Sequence, residues 1–314
     1  MKKKLLVTGG TGFIGSHTIV KLLESEDYDV IAIDNFSNSS KEVLRRVKSI
    51  TGKSFELIEG DIRDKIILEN IFLNNSICAV IHFAGLKAVG ESQNNPLKYY
   101  DNNVSGSINL LKIMHKHNIK NIVFSSSATV YGEQKYSKFS EITPSNPANV
   151  YGRNKLIVEN ILHDIKKTDS EWRIAILRYF NPIGAHKSGL IGEDPDGIPN
   201  NLMPFITQVA VGKRKKLKIF GGDYNTHDGT GKRDYIHVDD LALGHLSSLS
   251  YILKQNTAPF LKLNLGTGSS TSVLELVRAF EKASFRKINY EIVERRFGDI
   301  EESVADPSLA KKNY

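Results

Sequence analysis

A glycine-rich turn near the start of the chain constrains the fold more than any other segment. Gly9, Gly12 and Gly15 follow a short apolar segment, residues 5–7, and precede a stretch with helical periodicity. Glycines between a strand and a helix let the backbone approach a pyrophosphate closely, and the helix N-terminus offers unpaired N–H groups and a positive dipole end. The spacing Gly-x-x-Gly-x-x-Gly therefore predicts a dinucleotide-binding turn.

The first half of the chain alternates short apolar segments with helical patterns. Helical periodicity is clearest in residues 99–115 and 151–166. Short apolar strands separated by helices indicate a parallel sheet covered on both faces. The predicted fold class is therefore α/β, with a doubly wound, Rossmann-like parallel sheet. The predicted strands of this half are residues 5–7, 30–33, 55–58, 79–83, 121–125 and 173–177.

An acidic residue, Asp34, ends the second predicted strand. A carboxylate at this place can accept both hydroxyls of an adenosine ribose and would repel a 2′-phosphate, so the pattern favours NAD over NADP. The alternative is that Asp34 is only a turn residue. Asp61 and Ile62 follow the third predicted strand and are candidates for the adenine edge of the cofactor.

The composition of the sequence changes after Phe180. Loops rich in Gly, Pro and Asn occupy residues 181–204 and 221–233, and such loops often line binding sites. A predicted helix over residues 238–250 and a strand over residues 261–265 return to the sheet. The predicted domains are residues 1–180 as the NAD-binding domain, with residues 236–266 returning to it, and residues 181–314 as a smaller, discontinuous C-terminal substrate lobe.

Composition narrows the function classes. The 314 residues include 42 Lys and Arg against 35 Asp and Glu, but the densest basic run, residues 213–216, fits a solvated turn. Zinc-ligand spacing and interleaved aromatics are missing from the sequence, so nucleic-acid binding is not expected, nor is a metal site. No segment approaches the ~20 apolar residues of a membrane span. One cysteine, Cys78, suits a reducing compartment, and we expect the cytoplasm.

Tyr151 and Lys155 are four residues apart on a predicted helix and so share one face. A tyrosine with a pKa of ~10 is a poor base at neutral pH, but an ammonium about 4 Å away would lower that pKa by roughly 3 units, less the cost of desolvation. An isolated pair of this kind more often means a half-buried aromatic beside a solvated lysine. Ser127, in a serine cluster that ends a predicted strand, could supply a hydroxyl beside the phenol.

These features, in this order, resemble the extended short-chain dehydrogenase/reductase family. Longer segments carry the more specific resemblance, which covers essentially the whole chain and points to the members that act on nucleotide sugars. These segments are residues 82–92, 124–132, 177–182, 197–204 and 228–238.

The resemblance implies an isomerase of galactose metabolism that interconverts UDP-glucose and UDP-galactose at C4. Bound NAD would take a hydride from C4 while Tyr151 removes the proton of the C4 hydroxyl, and the 4-keto sugar would turn over before the hydride returns. Ser127 would assist proton movement. Lys155 would lower the pKa of Tyr151 and bind the nicotinamide ribose.

The resemblance also assigns binding residues and a partner. It implies a homodimer that packs through the helices of residues 99–115 and 151–166. The expected cofactor contacts are Gly9, Gly12, Phe13, Ile14, Gly15, Asp34, Asn35, Asp61, Ile62, Phe83, Ala84, Lys87, Asn102, Tyr151, Lys155 and Tyr179. The expected UDP-sugar contacts are Ser127, Tyr151, Asn181, Asn201, Leu202, Arg233, Arg296, Asp299 and Ser303, with Arg233 and Arg296 at the phosphates.

One departure from the family pattern and two alternative functions bear on the predicted function. Ser303 stands where some family members carry a bulky tyrosine, so we expect UDP-N-acetylglucosamine and UDP-N-acetylgalactosamine to be substrates as well. A nucleotide-sugar dehydratase would need acidic residues after Ser127, but Ala128 and Thr129 follow. A non-catalytic, nucleotide-sensing relative could lose Ser127, Tyr151 or Lys155, but all three are present.

Overall fold

A computed structural model describes residues 2–134, 136–195, 197–296 and 299–313. Its strands, in chain order, are β1 (Lys3–Thr8), β2 (Tyr28–Asp34), β3 (Glu56–Glu59), β4 (Ile77–His82), β5 (Asn121–Ser127), β6 (Lys138–Phe139), β7 (Arg173–Tyr179), β8 (Asn181–Ile183), β9 (Leu217–Phe220), β10 (Lys232–Arg233), β11 (Tyr235–His237), β12 (Phe260–Leu265), β13 (Thr271–Ser272), β14 (Tyr290–Val293) and β15 (Glu302–Ala305). Its helices are α1 (Phe13–Glu24), α2 (Glu42–Thr51), α3 (Lys65–Asn74), α4 (Val89–Asn94), α5 (Pro96–Tyr99), α6 (Gly106–Lys116), α7 (Val150–Thr168), α8 (Leu202–Ala210), α9 (Val238–Lys254), α10 (Val273–Ser284) and α11 (Ser308–Asn313).

Seven parallel strands form the central sheet in the order β3-β2-β1-β4-β5-β7-β12. The winding reverses direction between β1 and β4, and ligands of open α/β sheets bind at such a switch point, beyond the carboxyl ends of the strands. The predicted doubly wound α/β fold is confirmed. The switch point directs attention to the turn after β1 and to the loops after β4 and β5.

Both faces of this sheet are buried under helices. On one face Leu5 and Val7 pack with Ile19 of α1 and Leu241 of α9. On the other face Leu6 joins residues of α3, α6 and α7, among them Leu68, Leu110 and Val158. Because the inner strands are covered on both sides, strands such as β1 and β4 contain continuous apolar runs, which is the pattern that made them recognisable.

The second half of the chain builds smaller sheets around its own core. Strand β8 pairs with β11, β9 pairs with β14, and a four-stranded sheet has the order β13-β10-β15-β6. Buried residues of α8, β9 and α10, such as Ile206, Ile219 and Val277, form the core. Helix α9 packs on α1 and β12 pairs with β7, while β6, from the first half of the chain, pairs with β15. The division at residue 180 stays a prediction.

The predicted helix over residues 99–115 is interrupted in the structure. Helix α5 ends at Tyr99, a π-helical turn covers Tyr100–Ser105, and α6 begins at Gly106. Within the turn, the Asn103 amide accepts a hydrogen bond from Leu86 N at 2.7 Å and donates to Leu86 O at 3.0 Å. The sequence analysis did not detect this interruption, and π-helical turns are frequent at functional sites.

Among the described residues, every helix is too short or too polar to cross a membrane.

Candidate active site

The turn between β1 and α1 is shaped for a close ligand. Gly9 has φ of +69°, and a Cβ at this position would lie 2.8 Å from Ala84 N. A Cβ on Gly15 would overlap Gly9 O. Gly12 is the N-cap of α1 and has no side chain to cap it, so the first N–H groups of the helix stay open. Phe13 and Ile14 carry these first N–H groups. The backbone therefore leaves an open, positively polarised helix end that fits a pyrophosphate.

Asp34 is held at the carboxyl end of β2 by three hydrogen bonds. Its Oδ2 accepts from Thr11 N at 3.0 Å, and its Oδ1 accepts from Phe36 N at 3.0 Å and from Ser39 Oγ at 2.9 Å. The bond to Thr11 ties the carboxylate directly to the glycine turn. Such a fixed acceptor beside the turn fits the ribose hydroxyls of NAD.

The residues predicted for the adenine end lie next to Asp34. Asn35 Nδ2 donates to Asp61 Oδ2 at 2.8 Å. Arg63 also hydrogen-bonds Asp61 and lowers its pKa to about 2, against the opposing effect of burial. The Ile62 side chain is buried against Gly106 at the start of α6. Asn35 and Asp61 therefore contact each other beside the charge of Arg63, whereas the Ile62 side chain packs in the interior.

Ser127 and Tyr151 meet at the junction of β5 and α7. Asn149 caps α7 by accepting from Gly152 N at 2.8 Å, which fixes the first turn that carries Tyr151. Ser127 Oγ accepts from Thr129 N at 3.2 Å and from Thr129 Oγ1 at 3.0 Å. Because those bonds occupy its acceptor side, its own proton can be donated to another group. Ser127 is close enough to Tyr151 to lower the pKa of the phenol, against the larger effect of burial.

Lys155 lies beside these two residues but makes a different contact from the expected one. Its Nζ donates to Ser125 O at 2.7 Å and stands 5.9 Å from the centre of the Tyr151 ring. Burial lowers the pKa of Lys155 to about 8, with the carboxylate of Glu159 acting in the opposite direction. The ammonium is thus directed at a backbone carbonyl of β5.

The expected lowering of the Tyr151 pKa by Lys155 is not found in the protein alone. Burial of the phenol raises the pKa of Tyr151 to about 12, and the Ser127 hydrogen bond opposes this rise. Desolvation penalises the phenolate more than the hydrogen bond stabilises it. A phenol with this pKa is protonated at neutral pH, so activation of Tyr151 requires a further positive charge.

The remaining cofactor candidates surround this centre. The Phe83 and Ala84 N–H groups both donate to Thr8 O, and the Phe83 ring lies 4.7 Å from the His245 ring. Tyr179 is hydrogen-bonded to His245, whose Nδ1 bonds Leu241 O at 2.8 Å. Two other candidates complete the set: Asn102 lies in the π-helical turn, and Lys87 forms an ion pair with Glu193.

The candidates for the nucleotide sugar form a second group. Asp299 lies 3.0 Å from Arg296 Nε and 3.7 Å from Arg233 NH2. Ser303 of β15 is buried and stands opposite Arg233 of β10 in register. Asn181 begins β8, Asn201 is the N-cap of α8 and Leu202 is its first residue. Within the described residues, no hydrogen bond or ion pair joins this group to Tyr151.

Several residues around the site escaped the sequence analysis. Asn103 fixes the loop after β4, as described above, and Thr8 Oγ1, His82 Nδ1 and Ser107 form a buried chain beneath it. Glu159 hydrogen-bonds Ser126 at 2.5 Å and pairs with Arg178. The sequence spacing offers one signal for Glu159, because Tyr151, Lys155 and Glu159 follow one another at intervals of four on the same helix face.

We expect Lys155→Met to change how stability depends on pH. Lys155 has a folded pKa of about 8, below its unfolded value, so between these values the unfolded chain binds more protons and the free energy of unfolding rises with pH. The wild type should therefore gain about 2 kcal/mol over Lys155→Met between pH 7 and pH 10. Denaturant unfolding across this range measures it, and a constant difference would contradict the buried charge.

The glycine turn, the fixed acid and the Ser-Tyr-Lys group define an NAD-dependent enzyme of the extended short-chain dehydrogenase/reductase class. Comparison with known proteins is consistent with this, and the chain belongs to the NAD-dependent epimerase/dehydratase family, whose model matches residues 5–258.

Its relatives within the family are closely similar. The chain is 57% identical to the UDP-glucose 4-epimerase of Neisseria meningitidis serogroup C over 310 residues, which is 98% of this chain and 91% of the relative. It is 55% identical to that of Bacillus subtilis over 308 residues, 98% and 90% of the two chains. The crystal structure of UDP-glucose 4-epimerase from Bifidobacterium longum in complex with NAD⁺ and UDP is 52% identical, with a TM-score of 0.95, covering 99% of this chain and 92% of that one.

Proposed function

We propose that this protein interconverts UDP-glucose and UDP-galactose by reversible inversion at C4, with bound NAD as the redox cofactor. The observation that carries the proposal is that Ser127, Tyr151 and Lys155 lie together at the carboxyl end of β5, on the side of the sheet where the dinucleotide turn opens. More than half of the residues are shared, over nearly the full length, with UDP-glucose 4-epimerases. The absence of acidic residues at Ala128 and Thr129 argues against a dehydratase.

The chain offers a complete set of residues for holding NAD. The open N-terminus of α1, with Gly9, Gly12 and Gly15, would receive the pyrophosphate, and Asp34 would accept the adenosine ribose hydroxyls. Lys155 would bind the nicotinamide ribose. NAD, when bound, would supply the acceptor for a hydride from C4 of the sugar and the donor for its return, so that no net oxidation would occur.

Tyr151 is the group that takes the proton of the C4 hydroxyl and later gives it back. With a pKa of about 12 in the protein alone, its phenol needs an added positive charge to act as a base near neutral pH. The nicotinamide ring of oxidised NAD is a cation, and a nearby cation favours the phenolate. The Ser127 hydroxyl, near the phenol, would provide the path for this proton.

The second group of residues would bind the uridine diphosphate. Arg233 and Arg296 carry planar guanidinium groups that match phosphate oxygens in paired geometry. In the described residues both guanidinium groups lie near the carboxylate of Asp299, which is the anion between them. Phosphate would take over these donors, with Asn181, Asn201 and Leu202 completing the contacts.

The purified, NAD-containing protein tests the proposal when it is given UDP-galactose alone and UDP-glucose alone. Both reactions should reach the same mixture of the two sugars, without net NADH and without loss of water, as followed by NMR of the nucleotide sugars. Formation of a stable keto sugar, or of a dehydrated product, would instead indicate the alternative oxidoreductase or dehydratase.

We also propose that the enzyme accepts the N-acetylated pair of UDP-sugars, because Ser303 is small. Ser303→Tyr should lower kcat/KM for UDP-N-acetylglucosamine by roughly 10²-fold through steric exclusion and leave UDP-galactose turnover nearly unchanged. Ser303→Ala is the matched control and should keep all four sugars. Wild-type protein that turns over UDP-galactose but leaves the N-acetylated pair untouched would refute this specificity.

Three further expectations complete the proposal. The lobe of residues 181–314 receives the UDP-sugar, while residues 1–180, with residues 236–266, hold the cofactor. The protein works in the cytoplasm as a homodimer. For the dimer we propose the helical segments of residues 99–115 and 151–166. Leu97, two positions before the first of them, is 81% exposed and would gain from burial. A solution mass of one chain would contradict it.

A further inference from the structure

A cavity of about 390 Å³ lies between α7 and the outer strand of the central sheet, β12. Its walls come from α7, β7 and β12, together with Ser145 of the loop that precedes α7. The described lining contains none of the candidate cofactor or substrate residues, so this cavity is separate from the candidate active site. Its size is within the range of about 300–1,000 Å³ that small-molecule sites occupy.

The alternation of side chains along β12 directs a lysine toward this cavity. Leu261 and Leu263 pack on the face of the sheet that α1 and α9 cover, whereas Phe260 packs on the α7 face. Because successive side chains of a strand point to opposite faces, Lys262 shares the α7 face with Phe260. Both residues line the cavity. Within the described part of the chain, the Lys262 ammonium has neither a hydrogen bond nor an ion pair.

The carboxylates near Lys262 are held by other donors. Both oxygens of Glu159 accept from Arg178, at 2.9 Å and 2.6 Å, and Glu141 accepts from Asn264 N at 2.7 Å. Burial lowers the pKa of Lys262, the nearby Arg178 lowers it further, and the charges of Glu159 and Glu141 act in the opposite direction. The ammonium is therefore partly desolvated, and neither carboxylate is bonded to it.

Arg178 is the second cation beside the cavity, and it too has an unused donor. The residue is 1% exposed, and its Nε and NH2 donate to Glu159, while NH2 also donates to Ser145 Oγ at 3.1 Å. Its remaining nitrogen, NH1, is buried and has no hydrogen-bond partner among the described residues. Buried donors are seldom left unpaired, because nothing then compensates their loss of hydration. Two cations with unused donors indicate that an anionic acceptor belongs in this cavity.

The inward-pointing lysine also has a simpler explanation. Strand β12 is the last strand of the sheet, and an inward-pointing charge on such a strand discourages pairing with a strand of another chain. This explanation accounts for Lys262 alone. It accounts neither for the cavity in front of the ammonium nor for the unpaired NH1 of Arg178.

We propose that this cavity binds a small organic carboxylate, whose oxygens accept from Lys262 and Arg178 and whose apolar body packs against Leu156, Ile176 and Phe260. Hydrogen bonds between a carboxylate and an ammonium or guanidinium group are about twice as strong as neutral ones, which suits an open cavity. The three apolar residues supply a wall that a bare inorganic anion would leave unused. Lys262, Arg178 and Phe260 lie on strands, outside the two helical segments proposed for the dimer.

Benzoate is the probe, and its binding is measured by ligand-observed NMR titration. The NAD-containing protein is used with UDP in excess, so that a nucleotide site cannot produce the signal. Benzamide has the same shape without the charge, and acetate has the charge without the ring, so each should bind at least about tenfold more weakly than benzoate. Equal affinity for benzamide, or displacement of benzoate by an equal concentration of inorganic phosphate, would contradict the proposed ligand class.

Substitutions of Lys262 locate the binding. Lys262→Met should weaken benzoate binding at least about tenfold, because it removes the charged donor, whereas Lys262→Arg keeps the charge and should retain most of the affinity. Lys254→Met is the matched control: it removes an exposed lysine at the end of α9 and should bind benzoate like the wild type. Unchanged affinity in Lys262→Met, or an equal loss in Lys254→Met, would overturn the inference.

Two further readouts keep the test decisive. Lys262→Met removes a partly buried ammonium, so its Tm should be at least that of the wild type, and a lost benzoate signal cannot then be ascribed to unfolding. The comparison of Lys262 variants holds with or without UDP. A wild type that binds benzoate through Lys262 but does not equilibrate the two UDP-sugars would therefore refute the proposed function and leave this site standing.

Discussion

Tyr151→Phe is expected to lower kcat for UDP-galactose about 10³-fold, because a positioned general acid or base contributes 10²–10⁴-fold to a rate. The substitution removes one hydroxyl and leaves the ring packed beside Lys155, whose ammonium keeps its bond to Ser125 O. UDP binding and NAD content should stay close to those of the wild type. The loss should therefore be in kcat, with KM little changed.

Two control variants separate the effect of the Tyr151 hydroxyl on activity from the effects of its surroundings. Tyr290→Phe removes an equivalent hydroxyl from a half-exposed residue of β14 and should be fully active. Ser127→Ala leaves the phenol but removes the neighbouring hydroxyl that lowers its pKa, so the loss of activity should be smaller than that of Tyr151→Phe. Full activity in Tyr151→Phe would show that another group carries the proton.

Arg178→Met is expected to lower the free energy of unfolding by about 3–5 kcal/mol, because it leaves a buried carboxylate unpaired. Arg178 and Glu159 are buried and bonded through both nitrogens and oxygens, at 2.9 Å and 2.6 Å. Glu159 also accepts from Ser126, so the pair attaches α7 to β5 and β7. Urea unfolding of both proteins at the same pH measures the effect.

A paired substitution distinguishes loss of the ion pair from loss of packing. Arg178→Met with Glu159→Leu removes both charges, so it should be more stable than Arg178→Met alone. Because Glu159 shares a helix face with Tyr151 and Lys155, Arg178→Met should also lose activity at urea concentrations below those that unfold the whole protein. A single variant that is as stable as the wild type would mean that the carboxylate finds another cation, such as Lys262, whose pKa is already affected by both partners.

The parts of the molecule that could be predicted from sequence are those set by local pattern. The glycine turn, the unbroken apolar strands and the acid that ends β2 each depend on a few neighbouring residues, so the doubly wound sheet and the family followed from them. The Tyr151 and Lys155 pair was recognisable because a helix brings residues four apart together. Strand and helix ends differed by a few residues, as capping and fraying decide them.

What escaped prediction depends on contacts between distant parts of the chain. The direction of the Lys155 ammonium is set by a carbonyl 30 residues away, and the sequence pair alone suggested a phenol contact instead. The ion pair of Glu193 with Lys87 spans 106 positions. The π-helical turn contains an asparagine that bonds the backbone of another loop. Neither periodicity nor spacing carries information on such pairings.

The way in which the chain passes between its two halves affects how the molecule can move. A single residue, Phe180, separates β7 of the central sheet from β8 of a two-stranded sheet, and α9 begins directly after β11. Neither crossing contains a flexible linker, and Phe180 N is hydrogen-bonded to Leu265 O. Short connections of this kind restrict rotation of the two parts as separate bodies. The two halves should melt in one cooperative transition, and weakening either one should lower the melting temperature of the whole.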